Sequence, residues 1–342
     1  MVPSEIERQV KDLSELLRAT FLPVLHREDV SIEAFINRWH CSARIADRMV
    51  LILCSSVGTY SVIFKTNDKT VAKGCPYLER NLISAISSWL EGHSLDELYA
   101  LYEFVDRDKR YLEQFRKEAI RLFPELGSLT TITLQQLYDD SYELKFAAGD
   151  RSCRLQFHCE WLFPACEFDW DDTCLFAVQA THTTPLSLLL KRWLCDDAMP
   201  SSLKQEFDWL EVGKLAKYYE DGRGIEGEFI LSWDQTEQFY RSAGHSLSLP
   251  YRSEILEMIT DMRGKGYDRT LRAGHSVFDL VVSRSRRYCL RREQPAIFFY
   301  FSQDGGINIY VCEGQRKLVC SHIELTPLID DLLKELELRD ID

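Results

Sequence analysis

The sequence predicts an α+β protein in which antiparallel strands are grouped apart from helices. Three observations carry this. Apolar residues recur at helical spacing through much of residues 1–130. Four strand-like runs then follow one another from Tyr142 to Thr181 with short turns between them. Near the C-terminus, Gln303-Asp304-Gly305-Gly306 separates two more such runs, a hairpin signal. The expected organisation is a mostly helical domain over 1–130 with one hairpin. An α+β domain over 131–342 follows, with an antiparallel meander, a helical middle and a C-terminal hairpin plus helix.

Taken in order, Ser4 and Glu7 fit a capping box, and Ile6, Val10, Leu13, Leu16 and Leu17 follow at helical spacing. Ser31 is expected to cap a short helix through Arg38, and Ala43–Cys54 to form a second. Tyr60–Lys65 and Thr70–Ala72 read as a hairpin around Thr66-Asn67-Asp68-Lys69. Helices are expected over Leu82–Leu90, Leu95–Val105 and Tyr111–Phe123, with Ser94 and Glu97 as a second capping box. The pattern changes near Leu126-Gly127. Tyr142–Ala147, Cys153–Trp161, Ala165–Trp170 and Cys174–Thr181 are the four strands. Leu186, Leu189, Leu190, Trp193 and Leu194 make a helical stripe. Glu211–Tyr219, Glu228–Tyr240 and Ser253–Met262 read as helices. Strands follow at Ala296–Phe301, Ile307–Cys312 and Leu318–Ser321. The last helix starts at Thr326 as cap with Pro327 first.

Composition is that of a globular chain, 45% hydrophobic and 28% charged, with a formal charge of −13. That charge argues against unspecific binding to nucleic acid or anionic membrane by the molecule as a whole. Eleven cysteines without a CxxC pair suggest reduced thiols in a cytoplasmic protein. The run MVPSEIERQVKD has no apolar signal core, and no stretch reaches the ~20 apolar residues of a spanning helix.

One contrast asks for an explanation. Arg263–Arg292 holds nine Lys/Arg against Asp268 and Asp279, a charge of +7, so the rest of the chain carries −20. Its densest part presents Arg284, Arg286, Arg287, Arg291 and Arg292. Guanidinium groups pair bidentately with carboxylate and phosphate. The competing explanation is pairing with the chain's own acids. If the segment is helical, Arg284, Arg287 and Arg291 share a face.

Other candidates are weaker. Ser31–Met49 has the length of a helix-turn-helix, with Arg44 and Arg48 on the second helix and the following hairpin as a wing. His40 stands where its turn wants glycine. Glu167, Asp169 and Asp171 alternate along a strand and place three carboxylates on one face, a potential Mg²⁺ or Ca²⁺ site. The next strand offers only Gln179 and Thr181, and a charged edge strand is the simpler account. Cys153, Cys159, Cys166, Cys174 and His158 match no zinc spacing. Gly222–Gly227 is a literal GxGxxG, but it follows a helix, so it reads as a helix stop and a turn. Gly-His-Ser occurs at 92–94, 244–246 and 274–276, where Gly ending one helix and Ser capping the next is the plain explanation.

No nucleophile–base pair, metal set or phosphate loop stands in its required context. The expectation is therefore a soluble, non-catalytic regulatory or assembly protein, without cofactor, that meets an acidic macromolecular surface through its Arg-rich segment. The alternatives are a nucleic-acid-binding regulator and a metal-dependent hydrolase or nuclease centred on the clustered carboxylates.

Overall fold

The computed structural model describes residues 3–25, 31–35, 40–56, 59–76, 79–137, 141–158, 163–179, 182–243, 251–287, 294–302, 305–311 and 316–341. Its secondary structure is eleven helices and three five-stranded antiparallel sheets among those residues. The chain divides into two compact units, Met1–Ala198 and Met199–Asp342. The division expected near residue 130 falls inside the first unit.

The first module opens with α1 (Pro3–Leu25). It continues through β1 (Ser31–Phe35), β2 (His40–Ile45), β3 (Arg48–Ser56), β4 (Thr59–Thr66) and β5 (Lys69–Gly74). It closes on α2 (Glu79–Leu90) and α3 (Leu95–Leu101). The sheet is a plain meander in strand order. One apolar face of α1, with Val10, Leu13 and Leu17, and one of α2, with Leu82, Ile86 and Trp89, pack on Val50, Ile52, Val62 and Phe64.

Where helices were expected at Ser31–Arg38 and Ala43–Cys54, the described residues form strands, so the N-terminal region is neither mostly helical nor limited to one hairpin. The reason lies on the two faces of β3. Val50, Ile52 and Cys54 are buried, and Leu51 and Leu53 opposite them are half-buried. A run apolar on both faces carries no period that distinguishes strand from helix. The β2–β3 turn also lacks a glycine: Ala46 itself takes the left-handed conformation, φ 51°. The Asn67-Asp68 turn is where expected, with φ 51° and 63°.

The second module repeats the plan. After α4 (Arg107–Leu122) and α5 (Pro124–Leu129) come β6 (Thr131–Gln136), β7 (Ser141–Ala148), β8 (Arg151–His158), β9 (Ala165–Trp170) and β10 (Thr173–Gln179), then α6 (Thr183–Leu194). Phe146, Leu155, Phe168 and Phe176 face the helices, where Phe115 of α4 meets Phe146 edge-on and Trp193 of α6 meets Phe176. The third module has α7 (Pro200–Glu206), α8 (Lys214–Glu220), α9 (Gly224–Ala243) and α10 (Arg252–Gly264) before its sheet. That sheet is β11 (Arg272–Ser276), β12 (Asp279–Ser283), β13 (Ala296–Phe301), β14 (Ile307–Val311) and β15 (Arg316–Cys320), closed by α11 (Pro327–Glu337). Leu280, Val282, Ile297 and Phe299 bury against Trp233, Ile259 and Leu333.

In each module an arginine from the same end of the sheet reaches the C-terminus of the closing helix, where unpaired carbonyls gather. Arg48 donates through Nη1 to the Trp89 carbonyl at 2.8 Å and lies 4.3 Å over the Trp89 ring. Arg151 donates to Trp193 O at 3.2 Å and Ala198 O at 2.9 Å, with its guanidinium 4.3 Å from both Trp170 and Trp193. Arg284 donates through Nε to Arg339 O at 2.8 Å, just beyond α11.

Candidate partner-binding face

The basic stretch is largely spent inside the fold. Arg263 pairs with Asp234 and Glu237, each at 2.8 Å, and with Asp268 at 3.3 Å. Lys265 meets Asp330 at 2.8 Å and is the leading cause that holds that carboxyl well below its usual range. Arg286 grips Glu228 at 2.8 Å and Tyr219 Oη at 2.9 Å, with 14% of its side chain exposed. Arg284 is taken up by the backbone carbonyls of Arg339 and Thr270. Residues 284–287 are not helical, so the expected helical face of arginines does not form there. Arg291 and Arg292 lie outside the described residues.

Arg287 differs from its neighbours by being exposed. The buried Ser285 pins the backbone beneath it: its hydroxyl donates to Arg287 O at 2.7 Å and accepts from Arg287 N at 3.2 Å. Gln294 donates to the same hydroxyl at 3.1 Å. This turn holds Arg287 at the rim of a recess of about 250 Å³, together with Arg272, Gly274, Ser283, Val281 and Phe298. Arg272 is steadied by donating to the Arg286 carbonyl at 2.7 Å.

The recess sits on the outer face of the third sheet, away from its helices. Alternation along the strands puts Val281, Phe298 and Tyr310 in one cross-strand row and Tyr300, Asn308 and Val319 in the next. Phe298 stacks on Tyr300 at 6.2 Å, and Tyr300 meets Tyr310 edge-on at 5.0 Å. Tyr300 is 40% exposed, Tyr310 38% and Val319 71%. Aromatic rows of this kind are enriched in protein–protein contacts.

The acidic candidate on β9 is arranged differently from expectation. β9 is an interior strand between β8 and β10, and Asp169 is buried, so this is no charged edge. Asp171 has left the strand: with Asp172 it forms the β9–β10 turn, both in left-handed backbone at φ 50° and 55°. The cluster that does converge is Glu167, Asp169 and Cys174. Arg154 fills the place a metal would need, 2.7 Å from Asp169 and 2.9 Å from Glu167. Burial first, then Asp169 and Glu167, pushes the Cys174 thiol up to about 11. These residues do not fit a metal.

The strands at 31–56 also leave no recognition helix. Arg44 pairs with Asp68 across the sheet, and Arg48 is the clamp on α2. Cys153 and Cys166 are buried in the second core, and His158 and Cys159 fall outside the described side chains. Seven described cysteines are free thiols, whereas Cys75 is in a disulfide. The GxGxxG is a helix stop, with Gly222 at φ 72° after α8. Ser94 forms its capping box with Glu97. Gly274-His275-Ser276 instead lies in β11, where the His275 ring stacks on Phe239 at 3.6 Å. Gly244–Ser246 lies outside the described residues. No described helix is long and apolar enough to cross a membrane.

Comparison of the chain with protein families, with curated proteins and with solved structures returns no match.

Proposed function

We propose that this is a non-catalytic interaction protein that receives an acidic macromolecular partner on the outer face of its third sheet. The observation that carries the reading is the pairing of an arginine-rimmed recess with an exposed aromatic row on one face. Among the described arginines expected to bind, Arg287 is exposed, while Arg284 donates to the Arg339 carbonyl and Arg286 pairs with Glu228. Surface arginine and aromatic side chains together are the usual anchors of a protein contact. A cytoplasmic setting belongs to this proposal and is favoured by the free thiols, with Cys75 the exception.

The test is capture by the intact protein at low and moderate salt, with and without nuclease, beside Arg287→Glu. A defined protein that survives nuclease and is released by Arg287→Glu supports the reading. Capture unchanged by the reversal contradicts it. A nuclease-sensitive band lost on reversal transfers the face to nucleic acid, whose affinity falls steeply with salt.

A further inference from the structure

We infer that the edge strand β6 is a self-association surface, on which a second copy of this chain adds its own β6 antiparallel. This is independent of the third-sheet reading. Among the described residues, the three sheets end on β1, β5, β6, β10, β11 and β15. A strand at the end of a sheet presents a row of backbone N–H and C=O groups to another strand, unless charge, a bulge or a covering element blunts it. Every one of these edges except β6 shows such a guard. β1 holds Glu33, β5 holds Lys69 and Lys73, and β15 holds Arg316 and Lys317. β10 is interrupted by a bulge between Cys174 and Phe176. On β11 the Ala273 N–H donates to the Ser232 hydroxyl of α9 at 3.0 Å. β6 reads Thr-Ile-Thr-Leu-Gln-Gln, without charge or proline, and its register on β7 runs unbroken from Thr131 to Gln136. Thr131, Thr133, Gln135 and Gln136 are exposed.

The pattern of β6 fits itself. Ile132 and Leu134 lie opposite the buried Phe146 and Leu144 of β7, so they continue the core row of the second sheet. At the edge they are left half-buried. Thr131, Thr133 and Gln135 take the other face. A two-fold axis normal to the sheet, passing between two copies of Thr133, sets Ile132 of each copy against Leu134 of the other. Thr133 then meets Thr133, a favourable cross-strand pair, and Thr131 meets Gln135. Apolar pairs stay on the helix-packed face and polar pairs on the outer one. A shift by one residue would set Leu134 against Thr133 and lose the match. The contact is isologous and closes at two copies, joining five strands from each into one sheet. Each copy carries a formal charge of −13, so two copies repel at long range, and an uncharged edge is where they meet at least cost.

Contact through one strand lies at the small end of protein interfaces, so the dimer is expected to form in the micromolar range. Sedimentation velocity of the intact protein from about 1 to about 100 µM reads it. The parent should pass from monomer to dimer over that range. Thr133→Glu places its carboxylate opposite Lys145 of β7 within the chain, but carboxylate against carboxylate at the two-fold axis. It should raise the midpoint about fivefold. Thr133→Lys should also weaken the dimer, and an equimolar mixture of the two variants should associate again, because unlike charges then face each other. Gln205→Glu adds the same charge at an exposed position of α7 and should leave the midpoint in place. Amide hydrogen exchange of the parent reads the contact without any substitution: exchange in β6 should slow as concentration rises.

A parent that stays monomeric at the highest concentration overturns the proposal. So does a dimer whose midpoint Thr133→Glu leaves unchanged, since another surface then holds it. A mixture that fails to associate, from variants whose circular dichroism and thermal unfolding match the parent, overturns it too. Equal weakening by Gln205→Glu assigns the effect to net charge and does the same. Should a charge variant fail to fold, the parent still decides: a dimer with unchanged exchange in β6 contradicts the pairing.

Discussion

The second and third sheets share strand order and helix placement but finish their outer faces in opposite ways. On the second sheet the outer positions are polar and satisfied within the sheet. Arg154 holds Asp169 and Glu167, and Glu143 accepts from Gln135 at 2.9 Å and Gln156 at 3.0 Å. On the third sheet the corresponding positions carry Val281, Phe298, Tyr300, Tyr310 and Val319, and the guanidinium groups stand at the rim. The meander dictates which residues point outward; their chemistry decides whether the face is closed by its own ion network or offers apolar area to another molecule. Removing a charge should therefore cost stability on the second sheet and binding on the third.

The largest effect is expected at Arg154. Arg154→Met leaves the buried Asp169 without its cation, which should cost about 3 kcal/mol in urea unfolding. Arg287→Ala, in the same measurement, should stay within about 0.5 kcal/mol. Equal losses at the two positions would erase the distinction.

The helix clamps come next. Arg151→Ala removes a buried cation that lies between two tryptophan rings and bonds two terminal carbonyls of the first unit. A loss of about 2 kcal/mol is expected, with tryptophan fluorescence changing in parallel. Arg48→Ala should lose less, because Arg48 faces one ring. A larger loss at Arg48 would mean that the two clamps are not equivalent devices.

The smallest effect is a pH dependence on the third module. Burial holds His275 below the usual histidine range, and its Nδ1 is buried without a hydrogen-bond partner. A depressed folded-state pKa means that the unfolded chain binds the proton more readily. The stability His275 contributes is therefore present above the ordinary histidine pKa of about 6.5 and lost as pH falls below it. Thermal unfolding at about pH 7.5 and 5.5 should show a larger drop for the parent than for His275→Phe. Identical drops would remove His275 as the cause.

How much of this was legible in the sequence varies with the signal each part gives. Thr326 with Pro327, the Ser94 capping box and the strands of β7–β10 follow from caps and two-residue periodicity. β2 and β3 did not, because Leu51 and Leu53 fill the outer face of an apolar run and no glycine marks their turn. The basic stretch was visible as charge, but its geometry was not. Arg286 and its partner Glu228 are 58 residues apart, and nothing local pairs them. A usable signal for the repeated module was present: Asp47-Arg48 precedes Trp89 by the same interval, within one residue, as Asp150-Arg151 precedes Trp193.

The comparison of faces is tested most directly by capture with two charge reversals in parallel, Arg287→Glu on the third sheet and Lys145→Glu on the outer face of the second. Release of the protein partner by Arg287→Glu, with full retention by Lys145→Glu, is the predicted result. Equal release by both would mean that net charge alone governs capture, and retention by both would mean that the partner does not meet the third sheet.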